Sequence, residues 1–130
     1  MQVDQRYNLF LLVDAAIKVL IDNGVNEADA KIVVDSMIEA DYSGVNTHGI
    51  RMLSSYVEKL KNKEFSLLEP EVKRSCNSFT VIDANNSMGP VSANKATLIA
   101  IEKAKENGIY FVFSRNSNTY GPAFYYAEKI

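Results

Sequence analysis

The chain has 130 residues, of which 47% are hydrophobic and 23% charged, a composition typical of one soluble globular domain. Its formal net charge of −2 gives no electrostatic reason to expect nucleic acid or an anionic membrane as partner, and we predict neither. The single cysteine, Cys76, excludes an internal disulfide and a cysteine-built zinc site, and it favours a reducing, cytoplasmic compartment.

The first half of the chain carries three helical patterns. Apolar residues fill one broad face over 9–22, and Gly24 follows as a helix stop. Asn26 is a natural N-cap for a second helix. The apolar stripe of that helix, the cleanest in the sequence, comprises Ala30, Val33, Val34, Met37 and Ile38. A third helix is predicted over 47–62, with Thr47 as its N-cap.

The pattern changes after Pro70 to a mixture of strands and helices. The predicted elements are a strand over 79–82, a helix over 92–107, a strand over 109–113 and a helix with Pro122 in its first turn. The run over 109–113 is continuously apolar, which is typical of a strand covered on both faces.

These patterns predict a mixed α+β fold. A three-helix layer over 1–68 precedes the first part of an α/β sheet domain over 69–130, which we expect to be incomplete because the last helical pattern is cut off. We therefore interpret the chain as a truncated piece of a longer protein. The open sheet and helix surface predicts self-association of this piece.

Several common enzyme signatures are missing. The six glycines form neither the Rossmann fingerprint nor a phosphate-binding P-loop. One histidine cannot build a H-E-x-x-H zinc site, and no metal site is predicted.

The one histidine, His48, stands in the stretch DYSGVNTHGIRMLSSY. Helical spacing aligns His48 with Met52 and Tyr56, and it places Arg51 on the adjoining row. An imidazole, a guanidinium and a phenol on one side of a helix start suit carboxylate binding and proton transfer. The alternative is that Arg51 and Tyr56 form a solvated face.

Two further polar segments are weaker candidates. Asn118 and Thr119 follow the predicted strand near Phe113, where the carboxyl end of a strand often presents a site, although a plain turn is the alternative. Gly89 and Pro90 open a helix whose free amides suit an anion, although an ordinary loop is the simpler interpretation.

At these residues the sequence resembles the malate/L-lactate dehydrogenase family. EADYSGVNTHGIRMLSSYVEKL is similar to the family segment adxxGxxSHGxxRLxxYxxxL, and VIDANNSMGPVSANKATLIAIEKAKENGIYFVFSRNSNTYG is similar to the next block, which ends in SNHxG. The two motifs stand in the family's order and extend over nearly the whole chain from Leu9. The resemblance implies an amino-terminal fragment of a non-Rossmann oxidoreductase, in the group that includes ureidoglycolate and sulfolactate dehydrogenases, with an L-sulfolactate-dehydrogenase-like fold.

The resemblance also implies an activity. Such enzymes are cytoplasmic homodimers that transfer hydride between NAD or NADP and a small 2-hydroxy or 2-oxo acid. The family's SHG histidine falls on His48 and the serine before it on Thr47, which are the predicted catalytic residues, while Tyr56 falls on the tyrosine beside the substrate. Either His48 or the histidine of the SNHxG loop corresponds to the family's essential acid, and the sequence leaves both open. Asn118 and Gly121 are the candidates for cofactor binding.

Two departures from the family pattern bear on activity. Met52 stands where the family often has arginine, and Arg51 lies one position earlier, about 100° around a helix, as the remaining candidate for binding the substrate carboxylate. Thr119 replaces the histidine of SNHxG; it lines the expected substrate cleft but does not titrate near neutrality. The alternative is therefore a degenerate, non-catalytic member that serves as a binding or assembly module. For the 130-residue chain by itself we predict no measurable turnover.

Overall fold

The computed structural model of the chain describes residues 7–130, which form helices and one small three-stranded sheet. In chain order the elements are α1 (Leu9–Asp22), α2 (Glu27–Tyr42), two 3₁₀ turns (Asn46–His48 and Ile50–Met52), α3 (Leu53–Lys61), β1 (Glu71–Ser75), β2 (Phe79–Asp83), α4 (Gly89–Asn107), β3 (Phe111–Arg115) and α5 (Phe124–Ala127).

The first two helices begin where side chains cap them. The Asn8 side chain accepts a hydrogen bond from Leu11 N at 3.3 Å, and the Asn26 side chain accepts one from Asp29 N at 2.9 Å. Each cap satisfies an amide that the helix itself leaves unpaired. The predicted helix over 9–22 and the predicted cap at Asn26 are thus confirmed.

The core lies between α1, α2 and the start of α4. Leu20 of α1 and Val33 and Val34 of α2 are fully buried, and each such side chain stabilises the fold by about 1.5–3 kcal/mol. Met88 and Val91, around the start of α4, join the same cluster. One core therefore contains residues from both predicted regions, 1–68 and 69–130, and the division between them stays a prediction.

The sheet has three strands in the order β1-β2-β3. β1 is antiparallel to β2, and β2 is parallel to β3 with Asp83 opposite Arg115 at their carboxyl ends. The buried Tyr110 hydroxyl donates to Cys76 O at 2.8 Å and lies 2.8 Å from Thr80 Oγ1, which fixes the opposite end. The sequence did not predict β1, because EVKRS is exposed at every residue and shows no alternation of apolar and polar side chains.

The predicted third helix is wrong at its start. Residues 46–52 form two 3₁₀ turns, α3 begins only at Leu53, and Thr47 caps no helix. Gly49, between the two turns, has extended backbone (φ −81°, ψ −166°) that a continuous helix cannot contain. Asp41 stabilises this break, because its carboxylate accepts a hydrogen bond from Ile50 N at 2.7 Å.

The predicted strand over 109–113 needs two corrections. It lies at Phe111–Arg115, and it is not covered on both faces, since Phe111 and Phe113 are 58% and 57% exposed. α4 packs against β3. The exposed rings of Phe111 and Phe113 contact each other, and Phe113 also contacts Phe79. The predicted helix over 92–107 begins earlier, at Gly89, with Pro90 in its first turn. None of the helices in the described part of the chain is both long and apolar enough to cross a bilayer.

Candidate active site

A cavity of about 80 Å³ opens between α2, the 3₁₀ turns, α3 and the loop that follows β3. Its lining residues come from distant parts of the chain: Ser36, Met37, Thr47, His48, Met52, Tyr56, Lys59, Phe65, Asn118, Thr119 and Gly121. Its volume is well below the ~300 Å³ or more of pockets that enclose a drug-sized ligand. This space suits a small molecule and not a whole dinucleotide.

His48 is half-buried and sits at the end of the first 3₁₀ turn. Its Nδ1 lies 3.3 Å from the Thr47 hydroxyl, which pairs one of its two ring nitrogens. The next residue must be glycine, because a Cβ on Gly49 would lie 1.8 Å from Asp41 Oδ1. The bond from Ile50 N to Asp41 therefore fixes the turn that carries the imidazole.

Tyr56 connects α3 to the loop after β3. Its buried hydroxyl donates to Thr119 O at 3.4 Å, and its ring packs against Phe65 with centroids 5.2 Å apart. Burial raises the pKa of Tyr56 to about 12. The phenol consequently remains protonated at neutral pH and acts as a hydrogen-bond donor.

Hydrogen bonds from Asn118 to Asn86 and Ser87 hold the loop of residues 116–121. The Asn118 amide nitrogen donates to Asn86 O, to Asn86 Oδ1 and to Ser87 O at 3.2, 3.1 and 2.9 Å. The backbone passes so close to α4 that a Cβ on Gly89 would lie 2.2 Å from Thr119 O. The amide nitrogen of Asn118 thus bonds this loop to the segment between β2 and α4.

The Asp83 side chain lies at the end of β2, beside the start of this loop, and its carboxylate accepts hydrogen bonds from three residues. We call this cluster the Asp83 hub. Asp83 accepts hydrogen bonds from Asn85 N at 3.0 Å, from the Asn116 amide at 3.1 Å and from Arg115 Nε at 3.0 Å. These donors, the Asn85 amide first, hold the pKa of Asp83 below its usual value. The hub fixes the point at which the loop leaves β3.

The cavity brings together most of the predicted site residues. Those on its wall are Thr47, His48, Tyr56, Asn118, Thr119 and Gly121. Arg51 is exposed and is absent from the lining, whereas Met52 is part of it. The convergence of His48 with Tyr56 arises from 3₁₀ turns and a bend at Gly49, so the continuous helix assumed for it was wrong. The chemical roles of these residues stay predictions.

Four lining residues were not foreseen: Ser36, Met37, Lys59 and Phe65. The spacing of Tyr56 and Lys59, three positions apart on α3, was a usable signal. Phe65 offers no local signal, since the chain must leave α3 and turn back before its ring meets Tyr56. In the described range 7–130, no three His, Cys, Asp or Glu side chains are grouped so as to hold a metal ion.

Comparisons with known sequences show which family the chain resembles. The family model described as malate/L-lactate dehydrogenase matches residues 11–130. Malate dehydrogenase of Pyrococcus horikoshii is 41% identical over 113 residues, which is 85% of this chain and 31% of that protein. L-sulfolactate dehydrogenase of Methanocaldococcus jannaschii is 39% identical over 114 residues, 86% of this chain and 33% of that protein.

Solved structures share the fold. The malate dehydrogenase structure from Pyrococcus horikoshii superposes with a TM-score of 0.87 at 39% identity, over 91% of this chain and 34% of that one. The sulfolactate dehydrogenase structure from Methanocaldococcus jannaschii gives a TM-score of 0.85 at 36% identity, over 90% and 34%. The predicted α+β, L-sulfolactate-dehydrogenase-like fold is confirmed, and the chain spans about a third of the length of these relatives. The sequence model and the superpositions together show that this chain belongs to the malate/L-lactate dehydrogenase family.

Proposed function

We propose that the chain is the amino-terminal part of an NAD- or NADP-dependent oxidoreductase that transfers hydride between nicotinamide and a small 2-hydroxy or 2-oxo acid. The observation that carries the proposal is the meeting of His48, Thr47 and Tyr56 with Thr119 around one small cavity. Relatives named malate and sulfolactate dehydrogenases support the choice of substrate class.

The proposed chemistry for this chain is proton transfer at the substrate oxygen. His48 protonates the ketone oxygen during reduction and removes that proton from the hydroxyl in the reverse direction. Because Thr47 pairs Nδ1, the nitrogen available to the substrate is Nε2. Tyr56 keeps its proton at neutral pH and positions the loop of residues 116–121 through its bond to Thr119 O.

The residues at the cavity fit the ring end of a nicotinamide cofactor. Gly121 leaves bare backbone on the wall, where an added Cβ would meet only Ser36 Oγ, at 3.9 Å. Gly121 and the Asn118 backbone would border the ring, and the bound cofactor would supply or accept the hydride. The remainder of a dinucleotide exceeds this cavity and requires other parts of the enzyme.

The complete enzyme works as a cytoplasmic homodimer, in keeping with its family and its single free cysteine. Its partner is the small 2-oxo or 2-hydroxy acid substrate, and neither nucleic acid nor a membrane is expected as a partner. Residues 1–68 and 69–130 serve as a helical region and as the first part of the nicotinamide and substrate domain.

Replacing His48 with Gln in the complete enzyme tests the assignment. We expect turnover of a 2-oxo acid to fall by about 10²–10⁴-fold, the usual contribution of a positioned acid or base. The matched control is Ser54→Ala on α3, whose side chain is exposed and outside the cavity. Steady-state oxidation of reduced nicotinamide gives the rates. A His48→Gln variant with most of its activity would refute the role of His48.

The alternative, a non-catalytic binding or assembly module, is favoured by two observations. Thr119 occupies the position at which the resembling motif has histidine, and Arg51 lies outside the cavity. Under this alternative a nicotinamide cofactor raises the melting temperature of the complete protein. Turnover with small 2-oxo acids is then absent, which separates the two proposals in one pair of measurements.

A further inference from the structure

A lysine that the sequence motifs do not single out stands on the cavity wall. Lys59 lies on α3, three residues after Tyr56, and is half-buried there. Its ammonium lies 5.4 Å from the centroid of the Phe65 ring, which itself packs against Tyr56. The attraction between a cation and an aromatic face holds the charge close to the buried pair of rings.

The charges around the cavity favour an anion. Its lining contains Lys59 and His48 and includes neither aspartate nor glutamate, although the chain as a whole has a net charge of −2. Within the described residues, Lys59 forms no ion pair with a carboxylate. Lys59 thus offers a cation without a protein counter-charge to whatever enters the cavity.

The cationic side chain expected from the sequence does not occupy this place. Arg51 is exposed and outside the lining, and Met52, which does line the cavity, carries no charge. A 2-oxo acid must leave water with its carboxylate ionised, and a buried charge without a partner is costly. The acid therefore needs a cation from the wall.

We propose that Lys59 binds the acidic group of the substrate and so determines selectivity for 2-oxo acids over uncharged ketones. This inference rests on the proposed function, since it assigns a residue to the same cavity. Lys59 acts in binding, while the proton transfer at the ketone oxygen belongs to His48. Its loss accordingly weakens substrate binding more than it slows the bound complex.

The experiment compares three variants of the complete enzyme: Lys59→Met, Lys59→Arg and the control Lys61→Met, which removes an exposed charge from the same helix outside the cavity. We expect Lys59→Met to raise KM for oxaloacetate at least tenfold with kcat changed less than threefold. Lys59→Arg should recover most of this loss, and Lys61→Met should match the unaltered enzyme. KM of the unaltered enzyme should rise with salt more steeply than that of Lys59→Met, since salt screens a charge pair.

A second measurement is independent of turnover. Calorimetric titration in the absence of nicotinamide, so that no hydride acceptor is present, uses tartronate, a small 2-hydroxy dicarboxylate. It should show at least tenfold weaker binding to Lys59→Met than to Lys61→Met. Equal tartronate affinity in those two variants, or an unchanged KM for oxaloacetate in Lys59→Met, would overturn the assignment of Lys59 while leaving the proposed function intact. A protein that binds tartronate through Lys59 but turns over no 2-oxo acid would overturn the proposed activity and support the anion site.

Discussion

Tyr56 illustrates how burial changes the chemistry of a single residue. The family resemblance places a phenol beside the substrate, where an acid–base role is an obvious candidate. In the structure its hydroxyl is buried and donates to Thr119 O, and its pKa is raised to about 12. At neutral pH the Tyr56 phenol therefore stays protonated and holds the loop through Thr119 O, and the proton transfer is proposed for the His48 imidazole on the same cavity wall.

The Tyr56 pKa predicts a specific loss of stability in alkali. Because the folded pKa lies above the value of 10.0 for an unperturbed tyrosine, the stabilisation is complete below pH 10 and disappears as pH rises through 12. At pH 11 the Tyr56 contribution to this loss should be about 1 kcal/mol. Urea unfolding at pH 8 and pH 11 measures it, and Tyr56→Phe should unfold with a smaller difference between the two.

Tyr42→Phe is the matched control, since Tyr42 is exposed on α2. It should retain the full alkaline loss, part of which comes from Tyr125, whose pKa burial also raises to about 12. An alkaline loss that is the same in Tyr56→Phe and in Tyr42→Phe would contradict the prediction.

At this scale the sequence predicted most of the cavity wall. Motif and chain order were enough to select His48, Thr47 and Thr119, because each aligns with a position of the family motifs, although Thr47 and Thr119 differ from the family residues there. The sequence could not show which of Arg51 and Lys59 faces the cavity, because the directions of both side chains depend on the break at Gly49. That break depends in turn on the Asp41 carboxylate, which is eight residues away in sequence from Gly49 and lies on another helix.

Among the elements, β2, β3 and α4 depend on the Asp83 hub. Four donor groups from Asn85, Arg115 and Asn116 converge on one carboxylate that is almost completely buried. They join the ends of two parallel strands to the turn that leads into α4. The Asp83 hub thus sets the position of two loops: residues 84–88 before α4 and residues 116–121 after β3.

The lowered pKa of Asp83 predicts sensitivity to acid. A carboxylate with a depressed folded pKa stabilises the fold above its unfolded value of 3.8, and this stabilisation is lost as pH falls through the folded pKa. Asp83→Asn should be less stable than the unaltered chain at pH 7, and its stability should decline less between pH 5 and pH 3. Urea unfolding at these values gives the comparison, with Glu102→Gln, an exposed position on α4, as the control. A parallel acid decline in Asp83→Asn and in the unaltered chain would count against the hub.

Elements with their own signals were predicted well, and elements that depend on neighbours were not. α1 and α2 carry caps and apolar stripes, so their bounds followed from the sequence. β1 is exposed and polar, and it forms because β2 offers an edge for pairing. β3 was placed two residues early because Ile109 extends the apolar run, although it lies exposed before the strand.

For the whole molecule, the exposed apolar surface is the dominant feature. Phe10 and Leu11 on α1 are 79% and 69% exposed, and Phe111 and Phe113 stand side by side on β3, at one end of the strand order. Contiguous apolar surface and an edge strand both favour association. We expect the 130-residue chain to self-associate, with a sedimentation coefficient that rises with concentration.

Phe111→Lys with Phe113→Lys should weaken this association by placing charges on the edge strand. Phe10→Lys provides a comparison at a separate surface on α1. A monodisperse monomer of the unaltered chain at high concentration would contradict the expectation. Association unaffected by all three changes would point to another surface.

The contact between Tyr56 and Thr119 also bears on the order in which parts of the chain fold. The two residues are 63 positions apart, so their contact closes a long loop, whereas α1 and α2 adjoin in sequence and pack directly on each other. During synthesis the helices around His48 leave the ribosome before the residues that form the opposite wall. We therefore expect the cavity to form late in folding, once its two walls have docked.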